Sequence, residues 1–99
     1  MYFLTAMHLK TETGFVPQPD NTRCFGYFID KQVALQAADE NWADMHECLY
    51  AWLLIEKIPE GLHAIPEEEI WYKWDSGLSA WLHADKPEWS RGIINWSIG

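Results

Sequence analysis

Residues Leu49 to Ile58 set the frame of this chain. Leu49, Ala51, Leu53 and Ile55 alternate with Tyr50, Trp52 and Leu54, so both faces of the segment are apolar until Glu56. That is the pattern of a central strand, one that belongs mid-sheet. The run is also far too short for a membrane span, and no longer apolar run exists in the sequence.

The neighbouring segments read as partners for that strand. Tyr2 to Lys10 is rich in aromatic and long apolar residues, and Thr11-Glu12-Thr13-Gly14 turns it into Phe15-Val16 as a first hairpin. Pro17 to Asn21 reads as a loop, since each proline pushes its predecessor toward extended geometry; Arg23 to Phe28 then resumes a strand. Asp30 fits an N-cap, and Val33, Ala34, Ala37, Ala38 and Asn41 recur at helical spacing, which predicts one helix over 31–42. Its buried stripe is mostly alanine, so larger side chains from elsewhere must fill the space it leaves.

Pro59-Glu60-Gly61 ends the central strand, 62–69 crosses over as a loop, and Ile70 to Asp75 returns as a strand. Asp75-Ser76-Gly77 turns into Leu78 to His83. Lys86 to Trp89 begins a short helical turn or loop, Gly92 breaks it, and Ile93 to Ile98 reads as a last strand. Together these elements predict a single α+β domain over 1–99: a small antiparallel sheet of about five to six strands with one main helix (31–42) packed on one face.

Charge and cysteine content narrow the partners. Fifteen acidic against seven basic residues give a formal charge of −8, which repels long nucleic acids. Asp39-Glu40, Asp44 to Glu47, Glu56 to Glu60 and Glu67 to Glu69 read as solvated acidic loops. Two cysteines, Cys24 and Cys48, are too few for a disulfide framework and read as buried inert thiols; with no basic-then-apolar leader, a cytoplasmic protein without a membrane partner is expected. The six glycines stand singly, which excludes a phosphate-cradling loop, and Gly26 inside a strand marks a bulge or a close approach of backbone or ligand.

Catalytic signatures are weak. Asp44-Met45-His46-Glu47-Cys48 holds four metal-ligating residue types within five positions, with Cys24 as a fifth from elsewhere, but lacks the paired spacings of zinc sites. A helix-to-strand connection is the plainer reading, and no metal, cofactor or catalytic residue is assigned.

The aromatic residues are the stronger signal. Seven tryptophans in 99 residues exceed what one small core needs. If the turn after Asp75 closes a simple hairpin, facing residue numbers sum to about 153, pairing Tyr72 with Trp81 and Trp74 with Ser79. Tyr72, Trp74, Trp81 and His83 then share one face, and Trp71, Lys73, Ala80 and Leu82 the other. Such a patch is core, a protein interface, or a platform on which a flat ligand stacks, worth about 1–3 kcal/mol per stacked base. The candidate ligand residues are Tyr72, Trp74 and Trp81, with Tyr27 and Tyr50, while Arg23 and His46 contact phosphate or ribose. The commoner fate of an arginine such as Arg23 is a surface ion pair.

The strings Arg23-x-Phe25-Gly26-Tyr27-Phe28, Asp44-x-His46-Glu47-x-x-Tyr50, Glu56-x-Ile58-Pro59-x-Gly61, Trp71-Tyr72-Lys73-Trp74 and Asn95-Trp96-Ser97-Ile98-Gly99, with Ala34 and Asn41, span most of the chain. They resemble a family of small uncharacterised proteins of Firmicutes and their phages. The resemblance implies a phage or mobile-element accessory protein, with no family activity to transfer. In that setting the expected function is a non-catalytic anti-defence protein that sequesters a small nucleotide by aromatic stacking, most readily as a homo-oligomer. The alternatives are an acidic inhibitor that docks on a host defence protein by imitating nucleic acid, and a small metal-dependent hydrolase.

Overall fold

The computed structural model describes residues 1–10, 18–48, 50–62 and 64–97. Five strands, β1 (Tyr2–Lys10), β2 (Gln18–Phe28), β3 (Trp52–Lys57), β4 (Glu68–Asp75) and β5 (Ala80–Ala84), form one sheet in the order β2-β1-β3-β4-β5. Every neighbouring pair is antiparallel. The fold is α+β as the sequence predicts, and β3 holds the centre. Among the described residues no helix is long and apolar enough to cross a membrane.

One helix, α1 (Lys31–Asp39), lies between β2 and β3 in the chain and covers one face of the sheet. Asp30 caps it as expected, its carboxylate accepting the Gln32 N–H at 2.8 Å. The helix ends at Asp39 and not at position 42, because the backbone turns left-handed at Asn41 (φ +51°), Ala43 (+60°) and Asp44 (+51°) on its way into a 3₁₀ segment, Trp42–Cys48. Ala34, Ala37 and Ala38 are buried against Leu4, Ala6, Leu53 and Ile55 of the sheet. The bulk that this alanine face lacks comes from Met45, Tyr50, Tyr72 and Trp81.

The opposite face is covered by the C-terminal segment. Met7, Leu54 and Trp71 are buried there, with Trp52, Trp89 and Trp96 packed over them. Four indoles meet edge-on: Trp89 lies 5.6 Å from Trp52, 5.8 Å from Trp71 and 5.8 Å from Trp96. Each such pair adds about 0.5–1.5 kcal/mol beyond the area it buries. Two covered faces are what the two-sided apolar pattern of β3 demands, since Leu53, Leu54 and Ile55 are all enclosed.

Several local expectations change. The last strand predicted over 93–98 is absent from the described positions 93–97. Instead, the Trp96 and Ser97 N–H groups donate to the Glu56 carboxylate at 3.1–3.2 Å, so a side chain occupies donors that a strand would have used. Glu56, predicted to lie in a solvated acidic loop, is 0% exposed, and this loss of solvent raises its pKa despite the hydrogen bonds that oppose the rise. The loop predicted from Pro17 to Asn21 is strand from Gln18 onward, where Lys10 pairs with Gln18 and His8 with Asn21. The turn Thr11–Gly14 and the residues Phe15-Val16 lie outside the described residues. Gly26 does adjoin a bulge: Leu4 faces Gly26 and Thr5 faces Cys24, which leaves Phe25 as the extra residue.

Candidate functional site

The β4–β5 hairpin brings the predicted aromatic patch together with a shifted register. Tyr72 faces His83 and Trp74 faces Trp81, two residues away from the predicted pairing. A shift of two preserves which residues share a face, because strand side chains alternate with period two. Its cause is the turn: residues 76–79 form a four-residue loop, tied by the Gly77 N–H to the Asp75 carboxylate at 3.0 Å and closed by Ser79 at φ +50°.

On the helix-covered face these rings meet a residue from the 3₁₀ segment. His46 stacks on Trp74 with ring centroids 3.7 Å apart and planes 10° from parallel, and it stands edge-on to Trp81 at 6.3 Å. Trp74 and Trp81 meet at 5.2 Å, nearly perpendicular. Asn41 locks the arrangement, its side-chain oxygen accepting the Trp81 Nε1–H at 3.0 Å and the His46 backbone N–H at 3.2 Å. Asparagine suits both tasks, tolerating positive φ while presenting a fixed carbonyl. Neither His46 Nδ1 nor the Tyr72 hydroxyl has a hydrogen-bond partner among the described residues, although both atoms are enclosed. Burial, with the charge of Asp39 second, pushes the Tyr72 pKa up to about 12.

The seven candidate ligand residues therefore divide into three places. His46, Tyr72, Trp74 and Trp81 form the cluster just described, in which Tyr72 and Trp81 are sealed and Trp74 is half-buried. Arg23, Phe25 and Tyr50 form a second line: the exposed Arg23 guanidinium sits 4.8 Å from the Phe25 ring centre, and Phe25 meets the buried Tyr50 edge-on at 5.6 Å. Tyr27 is 62% exposed on the opposite face, against Phe3 at 5.9 Å. Cys24, predicted to be buried, is an exposed free thiol. Among the described residues no three of His, Cys, Asp and Glu assemble as metal ligands, and His46 of the Asp44–Cys48 cluster turns toward Trp74.

An open groove of about 410 Å³ runs along the hairpin, lined by Lys73, Trp74, Asp75, Ser76, Leu82 and His83, with Ala84 at its end; Lys73, Leu82 and Ala84 belong to the sheet face opposite the ring cluster. Lys73 and His83 are exposed there. Lys73 also reaches the Trp52 ring, its Nζ 5.5 Å from the centroid, so its stem is held by the sheet. Sequence reasoning did not assign Asn41 or Lys73 to a site. The only trace of Asn41's role was its place at the end of the helical spacing, where a left-handed residue ends a helix.

Comparison with protein-family models, with curated proteins and with solved structures finds no match for this chain.

Proposed function

We propose that this chain is a non-catalytic binding protein whose ligand is a small flat anion of the nucleotide class, received in the groove along β4 and β5. Trp74 carries the proposal: its indole is held parallel to His46 at 3.7 Å, half-buried, on the same sheet face as the exposed His83, while the exposed Lys73 lines the groove from the other face of β4. A rigid ring with a hydrogen-bond donor, His83, on its own face is a combination that stacks a base and receives a phosphate. The neighbouring Asp75 carboxylate is already engaged by the Gly77 N–H. The groove's 410 Å³ falls in the range of small-ligand sites. On a chain of net charge −8, capture of such an anion needs a cation at the groove, and Lys73 lines it. Sequestration of a nucleotide signal in a phage or mobile-element setting is the role this proposal carries forward.

Isothermal titration with mono-, di- and cyclic adenine and guanine nucleotides tests it. Binding by at least one is expected, with Trp74→Ala weakening it about 5- to 150-fold, the equivalent of one stacked base, and Lys73→Ala reducing its salt dependence. Absence of both heat and thermal stabilisation across the panel overturns it.

A second proposal has its own support. Asp39, Glu40, Asp44 and Glu47 are all exposed within nine residues at the end of α1, an acidic ridge suited to a basic protein surface. Docking through that ridge predicts association that weakens steeply with salt and is lost on charge reversal at Asp44 and Glu47, while Trp74→Ala leaves it intact.

A further inference from the structure

The alanine face of α1 leaves space that the large side chains do not close. A cavity of about 150 Å³ lies between α1, the 3₁₀ segment and the β1–β2 pair. Leu4, Ala37 and Met45 form its buried inner wall, Phe25, Gly26 and Phe28 its side, and the exposed Trp42 and Ala43 its rim. None of these eight residues carries a charge, a hydroxyl or a side-chain amide, so a water inside has few partners and the space favours an apolar guest.

Gly26 keeps this cavity open. It faces Leu4 across the β1–β2 ladder, and Leu4 belongs to the helix-covered core, so a side chain at position 26 points toward the cavity. An added Cβ meets nothing within 4 Å. The Gly26 backbone is not in the left-handed region, so its conformation does not require glycine. A glycine inside a strand forfeits packing and chain entropy; a bulge at Phe25 adjoins this one, but neither steric crowding nor a left-handed backbone requires glycine at position 26. Its missing side chain leaves the adjacent volume vacant. The rim is held in an uncommon shape as well, since Ala43 and Asp44 both have positive φ without being glycine.

We propose that the cavity over Gly26 is a binding site for one uncharged, single-ring aromatic group. The size fits, because an apolar protein cavity of about 150 Å³ admits a benzene-sized ring. The walls fit too: Phe25, Phe28 and Trp42 offer three rings for edge-to-face contact, Phe28 and Trp42 already standing edge-on at 6.2 Å, and the Met45 side chain adapts to what lies between them. The site is separate from the β4–β5 groove and stands whether or not that groove binds nucleotides.

Titration of ¹³C-labelled protein with benzene, followed by NMR of the Leu4, Ala37, Ala43 and Met45 methyl groups, tests the site. Saturable shifts confined to these methyls are expected, and pyrimidine, a ring of the same size but polar, is expected to produce none. Gly26→Val fills the space and is expected to weaken benzene binding at least about tenfold. Gly26→Ala, one methyl into open space, covers the case in which the valine variant misfolds and is expected to weaken it less. Absence of saturable shifts up to the solubility limit of benzene, equal binding of pyrimidine, or unchanged affinity in the position-26 variants overturns the proposal.

Discussion

Replacing Asn41 tests whether the His46–Trp74–Trp81 cluster is held from the end of α1. Its side-chain oxygen accepts two N–H donors, Trp81 Nε1 at 3.0 Å and His46 N at 3.2 Å, while its backbone sits at φ +51°. Because Trp81 is only 4% exposed, removing the acceptor strands a buried indole N–H, a cost of about 1–3 kcal/mol. A second cost, about 1–2 kcal/mol, arises when a residue without asparagine's tolerance is forced into the left-handed region. The two separate by choice of substitution. Asn41→Gly keeps the backbone and loses the acceptor, so about 1–3 kcal/mol is expected; Asn41→Ala loses both, about 2–5 kcal/mol; Asn41→Asp keeps both and stays within about 1 kcal/mol of the parent. At roughly 4–8 °C per kcal/mol for a domain of this size, the alanine variant melts about 8–40 °C lower. Urea unfolding followed by tryptophan fluorescence gives the free energies, and near-ultraviolet circular dichroism reports the Trp74–Trp81 packing. Glycine and alanine variants both within about 0.5 kcal/mol of the parent would refute the anchoring role; an alanine variant no worse than the glycine variant would refute the backbone part.

Two further outcomes follow from buried charge and turn geometry. The raised pKa of Glu56 means that the folded protein holds its proton more tightly than the unfolded chain does, so its contribution favours folding at low pH and is lost as pH rises through the raised folded value. Glu56→Gln retains a carbonyl for the Trp96 and Ser97 N–H groups and removes the buried charge; above that pH it is expected to match or exceed the parent, with a flatter dependence of the urea midpoint on pH. Ser79 closes the β4–β5 turn at φ +50°, and Ser79→Gly is expected to raise stability by about 0.5–1 kcal/mol in the same unfolding assay, the left-handed relief exceeding the entropy of the added glycine.

Periodicity and capping were legible in the chain because they are local. The two-sided apolar run of Leu49 to Ile58 placed β3 at the centre of the sheet, Asp30 marked the start of α1, and the alternation from Ile70 to His83 put Tyr72, Trp74, Trp81 and His83 on one face. The register within that face was not legible, since a turn of four residues in place of a tighter one moves every pairing by two without altering the pattern of faces. Nor was the end of the chain: Ile93 to Ile98 has strand composition, yet Glu56, about forty positions earlier, takes up its backbone donors.

Sequence alone, then, specified which residues are apolar, where a helix begins and how strand faces alternate, all properties of a few consecutive positions. Tertiary structure assigned the partners: His46 against Trp74 from 28 residues away, Asn41 beneath Trp81, Glu56 sealed under Trp96, and a cavity beside the Ala37 face of α1. Those outcomes depend on how elements distant in the chain fill one another's gaps, and a void or a stacked pair belongs to the assembled volume, so no single segment encodes it.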